Sequence, residues 1–327
     1  MQRILQKIRL AFASIQVIVF VLLTTGAAIP VAGQVTTETV IQKATEQFES
    51  TPLKTISLDN GIWVFTGDGG NVTAIADDGS TLLIDSGLDS RVGELTDASF
   101  KATARPVTRL VNTHWHFDHT GGNVSFGSES VTIIAQENVK QRLSSVQNVP
   151  FIGLRDGGYP AQALPTTTYS SSISLRQGGQ QLTLVNYGPA HTDGDTIIYI
   201  APANVAVVGD IFSNPFYPII DLASGGSIDG IIYSLNEILA QTDEQTKIVP
   251  GHGPVATRSD LENYRDMLVL VRQRIKVLVG AGRTMDEAVA AAPTRDFDAH
   301  WGRGYVSPDV FVRMVFASLT GSSNAKR

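Results

Sequence analysis

A short stretch at residues 109–123 concentrates side chains that can hold a metal ion. It reads RLVNTHWHFDHTGGN and contains three of the chain's six histidines, His114, His116 and His119, together with Asp118. Two histidines separated by one residue at a strand end can point to the same side, because side chains alternate along a strand. The adjacent Asp118 and His119 can then serve a second centre as the chain turns. Imidazole nitrogen and carboxylate oxygen suit zinc-like divalent ions.

Three more candidate ligands lie downstream, in strand-end or glycine-rich contexts. They are His191 in GPAHTDGD, Asp210 in VVGDIF and His252 in VPGHGP. Each histidine alone is typical of an ordinary loop, and Asp210 alone is typical of a helix cap. A carboxylate after the apolar run VAVVG is costly to bury without a partner, and a bridging position between two cations would remove that cost. The chain has no cysteine, so any metal must be held by imidazole and carboxylate.

The elements that must position these residues are short strands and amphipathic helices. Three β-rich runs at residues 62–87, separated by glycine and aspartate clusters, predict an antiparallel meander. Further strands are predicted at VTRLVNT, VTIIA, QLTLVNY, TIIYIA, NVAVVGD and KIVPGHG, and helices at residues 91–103 and 137–144, at DGIIYSLNEILAQ and from residue 258 onward. Two groups of strands with interleaved helices predict one domain with an α/β sandwich.

Local signals predict helix starts and one long loop. Ser259 with Glu262, and Thr284 with Glu287, have the spacing of a capping box. Ser307 followed by proline predicts the start of a last helix. The stretch at residues 149–172 is rich in proline, glycine, threonine and serine, and is predicted to be a loop.

The order of these motifs is similar to that of the metallo-β-lactamase superfamily. HxHxDH is followed by a distant histidine, an aspartate after an apolar strand and a histidine in PGHG, over about residues 62–252. The resemblance implies an α/β (α+β) fold, the αββα sandwich, with two mixed β-sheets face to face and flanked by helices. It also implies a first metal held by His114, His116 and His191, a second held by Asp118, His119 and His252, and Asp210 as the bridge between them.

The implied cofactors are two Zn²⁺ ions, with iron or manganese as alternatives. The best-known subclass of zinc β-lactamases places a cysteine on the second metal, and this chain has none. Asp210 at the bridging position resembles the glyoxalase II and lactonase branches instead.

The ligand set and the resemblance together predict a dinuclear zinc-dependent hydrolase. It would attack the carbonyl of a β-lactam-like cyclic amide or a lactone with a metal-bound hydroxide, and Asp118 would be catalytic by orienting that hydroxide. Two alternatives stay open: a glyoxalase II-like thioesterase, and an iron-dependent redox enzyme of the same fold. The predicted partner is a small-molecule substrate, because a net charge of −6 argues against a nucleic-acid surface. The sequence does not indicate an oligomeric state.

The N-terminus predicts export. Basic residues at positions 3, 7 and 9 precede an apolar run that is densest at 17–23 and is followed by small residues. This order is typical of a secretory signal, so we expect residues 1–33 to be a signal peptide and the protein to be periplasmic or secreted. An uncleaved membrane anchor is the alternative, since residues 10–32 approach the ~20 apolar residues that span a bilayer. Residues 34–56 are expected to be a leader, and residues 57–327 a single domain with a C-terminal helical extension.

Several other side chains have open roles. Asp85 ends a predicted strand and would either orient a ligand imidazole or form a turn. His300 is expected to be structural, packed with Trp301. Aromatic residues on the predicted loop and after Asp210 would line a substrate pocket, although such residues more often serve packing; they are Phe151, Tyr159, Phe216 and Tyr217.

Overall fold

The computed structural model of the chain describes residues 38–67, 69–129, 131–149 and 151–321. The predicted signal peptide lies outside these residues. Thr36–Arg327 forms one compact unit. Within the described part of the chain, none of the helices combines the length and the apolar character that a bilayer crossing requires.

The strands are short and mostly lie where alternating or continuous apolar residues predict them. They are β1 Lys54–Asp59, β2 Ile62–Thr66, β3 Val72–Ala76, β4 Thr81–Ile84, β5 Val107–Val111, β6 Thr132–Gln136, β7 Val146–Val149, β8 Leu154–Gly157, β9 Thr167–Tyr169, β10 Ser172–Gln177, β11 Gln180–Val185, β12 Ile197–Ala201, β13 Val205–Ser213 and β14 Lys247–His252.

The helices follow the strands in sequence and become continuous in the last third of the chain. They are α1 Glu38–Ser50, α2 Val92–Thr103, α3 Phe117–Thr120, α4 Asn123–Ser128, α5 Glu137–Leu143, α6 Ile228–Gln241, α7 Arg258–Gly280, α8 Met285–Ala290, α9 Asp298–Trp301 and α10 Pro308–Thr320.

Two mixed sheets carry most of the strands. The first has the order β1-β2-β3-β4-β5-β6-β9, and the second the order β10-β11-β12-β13-β14. In the first sheet β1 to β4 pair antiparallel, whereas β4, β5, β6 and β9 pair parallel. In the second sheet only the pairing of β13 with β14 is parallel. β7 and β8 form a separate hairpin.

The core shows that the two sheets face each other. Ile62 and Leu82 from the first sheet share one apolar cluster with Leu184 and Val207 from the second. Residues that alternate with these along the strands, such as Leu83 next to Leu82, point to the outer side of the first sheet and pack against α2. Helices α6, α7 and α10 cover the outer side of the second sheet. Because successive strand residues face opposite sides, this produces the αββα layers, and the predicted fold class is confirmed.

Two details of the sequence-based assignment change. The segment predicted as a loop at residues 149–172 contains β8 and β9, and β9 extends the first sheet beside β6. The capping box of α7 uses Thr257 and Asp260 rather than Ser259 and Glu262, because the chain enters the helix two residues earlier. The capping box at Thr284 and the cap at Ser307 are confirmed.

Residues 34–56 were expected to be a leader, and the part of them that the structure describes, residues 38–56, contributes folded elements. They include α1 and the start of β1. Ala44 and Phe48 of α1 are buried in the same apolar cluster as the C-terminal helices. Helix α1 is therefore packed into the main core of the fold.

Candidate metal centre

The seven predicted ligands lie at strand ends and in adjoining turns of the two sheets. His114 and His116 follow β5, and Asp118 and His119 lie in the single-turn helix α3. Strand β5 ends in a parallel sheet, so its carboxyl end opens at the sheet edge rather than into a hairpin. His191 follows β11, Asp210 lies within β13 and His252 ends β14. All seven residues are buried, and each exposes at most 6% of its surface.

The structure brings all seven residues together in three overlapping groups. Within each group one ligand atom of every residue lies within 4.8 Å of the others. Two of the groups correspond to the two predicted metal sets, and the third joins Asp210 to one histidine from each set. The groups are His114, His116 and His191; Asp118, His119 and His252; and His114, His119 and Asp210.

Asp210 occupies the position between the two sets. Its Oδ1 lies 3.1 Å from Nε2 of His119, and its Oδ2 lies 3.3 Å from Nε2 of His252. The same Oδ2 is 3.9 Å from Nε2 of His191, a member of the first set. One carboxylate thus reaches toward both sets, as the predicted bridge requires.

The donor atoms fit divalent metal ions. Nε2 of His114 and Oδ1 of Asp210 are buried and have no hydrogen-bond partner among the described residues. The 3.1 Å between Oδ1 of Asp210 and Nε2 of His119 does not have hydrogen-bond geometry. Leaving a buried polar atom unsatisfied costs about 1–3 kcal/mol. A cation at the point where these atoms converge would satisfy them, so the His and Asp cluster is consistent with divalent metal binding.

Asp85 orients His119. It adopts a left-handed backbone with φ of 65°, which few non-glycine residues adopt. Its carboxylate accepts hydrogen bonds from the backbone N–H and the hydroxyl of Thr113, both at 2.7 Å. Oδ2 also lies 2.8 Å from Nδ1 of His119. Of the two roles considered for Asp85, the structure supports the orientation of an imidazole, which leaves Nε2 of His119 to face the cluster.

Asp221 plays the corresponding part for His116 and was missed in the sequence. Its Oδ2 lies 3.1 Å from Nε2 of His116, which turns Nδ1 toward Nε2 of His191 at 3.0 Å. Nδ1 of His191 lies 2.9 Å from the carbonyl oxygen of Ile219, two residues before Asp221. Asp221 is fully buried within the apolar run PIIDLA, and a charged residue in such a run was the signal that would have identified it.

The electrostatics differ between the two sets. Burial lowers the pKa of His114 well below its usual range and lowers the pKa of His191 to about 4, so both rings stay neutral, the form that binds metals. Burial also opposes the charge of His252, but Asp210 and Asp118 outweigh it and raise the pKa of His252 to about 9. Burial works to raise the pKa of Asp210, but His252 and His119 hold it well below its usual range. Asp118 and Asp210 therefore favour the charged form of His252 in the second set, whereas His114 and His191 of the first set stay neutral.

Replacing Asp221 with Asn should weaken metal binding without unfolding the protein. The amide can keep the hydrogen bond from Ser224 N–H to Oδ1, but it removes the negative charge beside His116. Loss of such a partner typically costs 10- to 100-fold in metal affinity, so we expect a loss of about that size. Competition with a chromophoric chelator measures it. Asp97→Asn on the exposed face of α2 is the matched control, and equal affinities for the two variants would contradict the role of Asp221.

Gly70 is required by a close approach to His119. A Cβ at Gly70 would lie 2.3 Å from Cε1 of the His119 ring, a distance that carbon atoms do not tolerate. We expect Gly70→Ala to displace this ring and to lower zinc affinity by at least about tenfold, the lower end of the loss seen when a ligand is misoriented. The control is Gly93→Ala in α2, where the new Cβ meets nothing within 4 Å and helix propensity should stabilise the protein by about 1 kcal/mol. Titration with zinc and thermal unfolding distinguish the two, and normal zinc affinity in Gly70→Ala would contradict this account.

Of the other residues singled out in the sequence, some lie beside the metal centre and others do not. Phe216 lines a cleft beside His252, whereas Tyr217 is buried in the core and stacks on Phe311 at 4.5 Å between ring centroids. His300 is exposed and contacts the edge of Trp301 at 4.7 Å between centroids. Phe151 and Tyr159 are partly buried against the main core.

Comparison with known proteins identifies the family. The model of the metallo-beta-lactamase superfamily matches residues 65–279, more than half of the chain and all seven predicted ligands. The chain therefore belongs to the metallo-β-lactamase superfamily, and the predicted family is confirmed.

The curated relatives differ in their named activities. One is the alpha subunit of a 2,4-dinitroanisole O-demethylase from a Nocardioides species, 28% identical over 118 residues, which are 36% of this chain and 33% of that protein. Another is a linear primary-alkylsulfatase from a Pseudomonas species, 22% identical over 60% of this chain and 46% of that protein. A third is a hydroxyacylglutathione hydrolase from a Polaromonas species, 26% identical over 49% of this chain and 53% of that protein. The chain thus spans between a third and about half of the length of these relatives.

Solved structures share the fold. A metallo-β-lactamase from Pontibacter korlensis aligns with a TM-score of 0.56 and 20% identity, over 66% of this chain and 99% of that chain. A stereoselective inverting sec-alkylsulfatase from a Pseudomonas species aligns with a TM-score of 0.66 and 16% identity, over 88% of this chain and 53% of that chain. At these identities the likeness describes the fold and not the substrate.

Proposed function

We propose that the protein is a dinuclear zinc-dependent hydrolase that cleaves an acyl bond by attack of water on its carbonyl. The observation that carries the proposal is the pair of three-residue groups joined by the single carboxylate of Asp210. His114, His116 and His191 would hold one ion, Asp118, His119 and His252 the other, and Asp210 would contact both. Zinc ions in such a site supply Lewis acidity and lower the pKa of water toward ~7.

Asp118 is the residue that we assign to orienting the attacking water and to proton transfer. Its Oδ2 lies 3.1 Å from Nε2 of His252 and 3.6 Å from Nε2 of His119. Burial works to raise the pKa of Asp118, but these two imidazoles lower it, so the group is a carboxylate at neutral pH. It can therefore accept a proton from the attacking water and return it to the leaving group.

Apolar side chains keep bulk water away from this carboxylate. Asp118 and Asp210 line a cavity of about 20 Å³, which has room for one water-sized group. Phe48, Ile152 and Leu154 form part of its lining. A dry, shaped site strengthens every charge–charge interaction within it.

Several acyl classes are compatible with this site. The sequence favours a β-lactam-like cyclic amide or a lactone, and the hydroxyacylglutathione hydrolase among the relatives adds a thioester. The alkylsulfatase among the relatives makes sulfate esters a second candidate class. We also propose that the protein acts in the periplasm or outside the cell, which the basic start and the apolar run at residues 17–23 support.

A hydrolysis panel tests the proposal. Zinc-loaded protein would be assayed on a cephalosporin, an acyl-homoserine lactone, an acyl thioester and an alkyl sulfate, each with and without a chelator. We expect chelator-sensitive hydrolysis of at least one acyl substrate, restored by zinc. Hydrolysis of the sulfate ester alone would favour the second class. Stoichiometric iron in place of zinc, without hydrolysis of any substrate, would favour the redox alternative and contradict the proposal.

A further inference from the structure

An open cleft of about 360 Å³ begins at His252 of the metal centre. Its wall at that end is aromatic: Phe48 stacks on the His252 ring at 5.3 Å between centroids, and Tyr305 meets the same ring edge-on at 5.9 Å. Phe216 continues this wall beside Tyr305, at 6.3 Å between centroids. Binding pockets for small molecules typically start at about 300 Å³ and are mostly apolar, so the cleft is large enough for part of a substrate.

Much of this wall comes from outside the segment that matches the family. Phe48, Lys54 and Ile56 precede residues 65–279, and Tyr305 follows them. Phe48 belongs to α1, Lys54 and Ile56 to β1, and Tyr305 precedes α10. The cleft is therefore lined partly by residues of the matched segment and partly by residues outside it.

Lys54 gives the cleft a positive charge. Its side chain is exposed and contributes to the lining, and no ion pair to it is found in the part of the chain that the structure describes. Among the described lining residues there is no aspartate or glutamate. Gln47 and Asn71, two further polar residues of the lining, are neutral. An apolar cleft that carries an unpaired ammonium group favours a ligand with an apolar body and an anionic end.

We propose that the cleft binds the acyl side of the substrate, with its apolar part against Phe48, Tyr305 and Phe216 and a carboxylate at Lys54. The inference rests on the proposed function for the position of the scissile carbonyl at the metal centre. A volume of 360 Å³ corresponds to about a dozen water-sized groups. The substrate class is thus an acyl compound with a short apolar chain or ring that ends in a carboxylate.

A matched pair of esters tests the subsite. The 4-nitrophenyl ester of hexanoic acid is compared with the 4-nitrophenyl monoester of adipic acid, which has the same chain length and a free carboxylate. We expect the unmodified protein to prefer the anionic ester by about fivefold in KM, the upper range for an exposed ion pair, and Lys54→Gln to remove this preference. Lys101→Gln, an exposed lysine on α2, makes the same change of net charge and should keep the preference. A preference that survives in Lys54→Gln, or that is absent from the unmodified protein, would overturn the proposal.

A binding measurement separates the subsite from the activity. Ligand-observed NMR titrations of 4-phenylbutyrate and 4-phenylbutanamide compare an anion with its neutral analogue on the protein as purified, on Lys54→Gln and on Lys101→Gln. Tighter binding of the anion, lost only in Lys54→Gln, supports the subsite even when neither ester is hydrolysed. If the protein hydrolyses neither ester, the result counts against the proposed function. If the two ligands bind equally to the unmodified protein, the result overturns the subsite alone.

Discussion

Asp118→Asn will lower kcat by about 10²- to 10⁴-fold, the usual contribution of a positioned acid–base group, and leave KM nearly unchanged. The amide keeps the shape of the side chain but cannot accept a proton from water. It is also a weaker ligand for the second ion, so the comparison is made with both ions restored by excess zinc. Its neighbours His119 and His252 remain in place, since Asp85 holds the first ring and Phe48 stacks on the second. Steady-state kinetics at saturating zinc, with metal content determined on the same sample, measure the effect.

A control variant makes this result specific. Asp97→Asn, on the exposed face of α2, makes the same chemical change away from the site and should behave like the unmodified protein. If fully metal-loaded Asp118→Asn turns over at the normal rate, Asp118 has no part in proton transfer.

Asp210→Asn will reduce both metal content and activity. Its two oxygens approach histidines from both metal groups, so removal of the charge should lower the affinity for both ions. Loss of an outer partner costs 10- to 100-fold in metal affinity, and replacing a ligand itself should cost at least about 100-fold. Elemental analysis after dialysis should find fewer than about two ions per chain, the content of an intact two-metal site, with hydrolysis reduced in parallel.

Asp221→Asn provides a graded comparison for Asp210→Asn. Among the predicted ligands, Asp221 contacts two members of the first group: its carboxylate meets His116, and its backbone N–H donates to the carbonyl oxygen of His191. Its replacement should therefore weaken the first group more than the second. Equal metal content in the unmodified protein and Asp210→Asn would show that Asp210 does not bridge the two groups.

The clustering of the seven candidate ligands was predictable because their chemistry is concentrated in a few residue types. With no cysteine, the histidines and the aspartates at strand ends were the available donors. Asp210 stood out since a carboxylate inside the buried strand β13 needs a cationic partner. The αββα fold followed from the same motif order and from two groups of strands with alternating apolar residues.

Features that depend on contacts between residues far apart in the sequence were harder to predict from the sequence. Asp221 lies 105 positions from His116, and nothing local shows which imidazole it meets. The sequence of helix α1 is polar with weak periodicity, so it did not predict a role in the fold. The role of Phe48 becomes visible only in the structure, where its ring stacks on His252. Strand β9 is three residues long, and it is stabilised by pairing with β6 rather than by its own sequence.

The metal content of the purified protein decides whether the seven clustered residues hold two ions. Elemental analysis of protein prepared without added metal, with concentration from amino-acid analysis, gives the number and identity of bound ions per chain. The account predicts about two divalent ions, mainly zinc, as expected for a two-metal site. Absence of stoichiometric metal, both in the purified protein and after incubation with zinc, would contradict it.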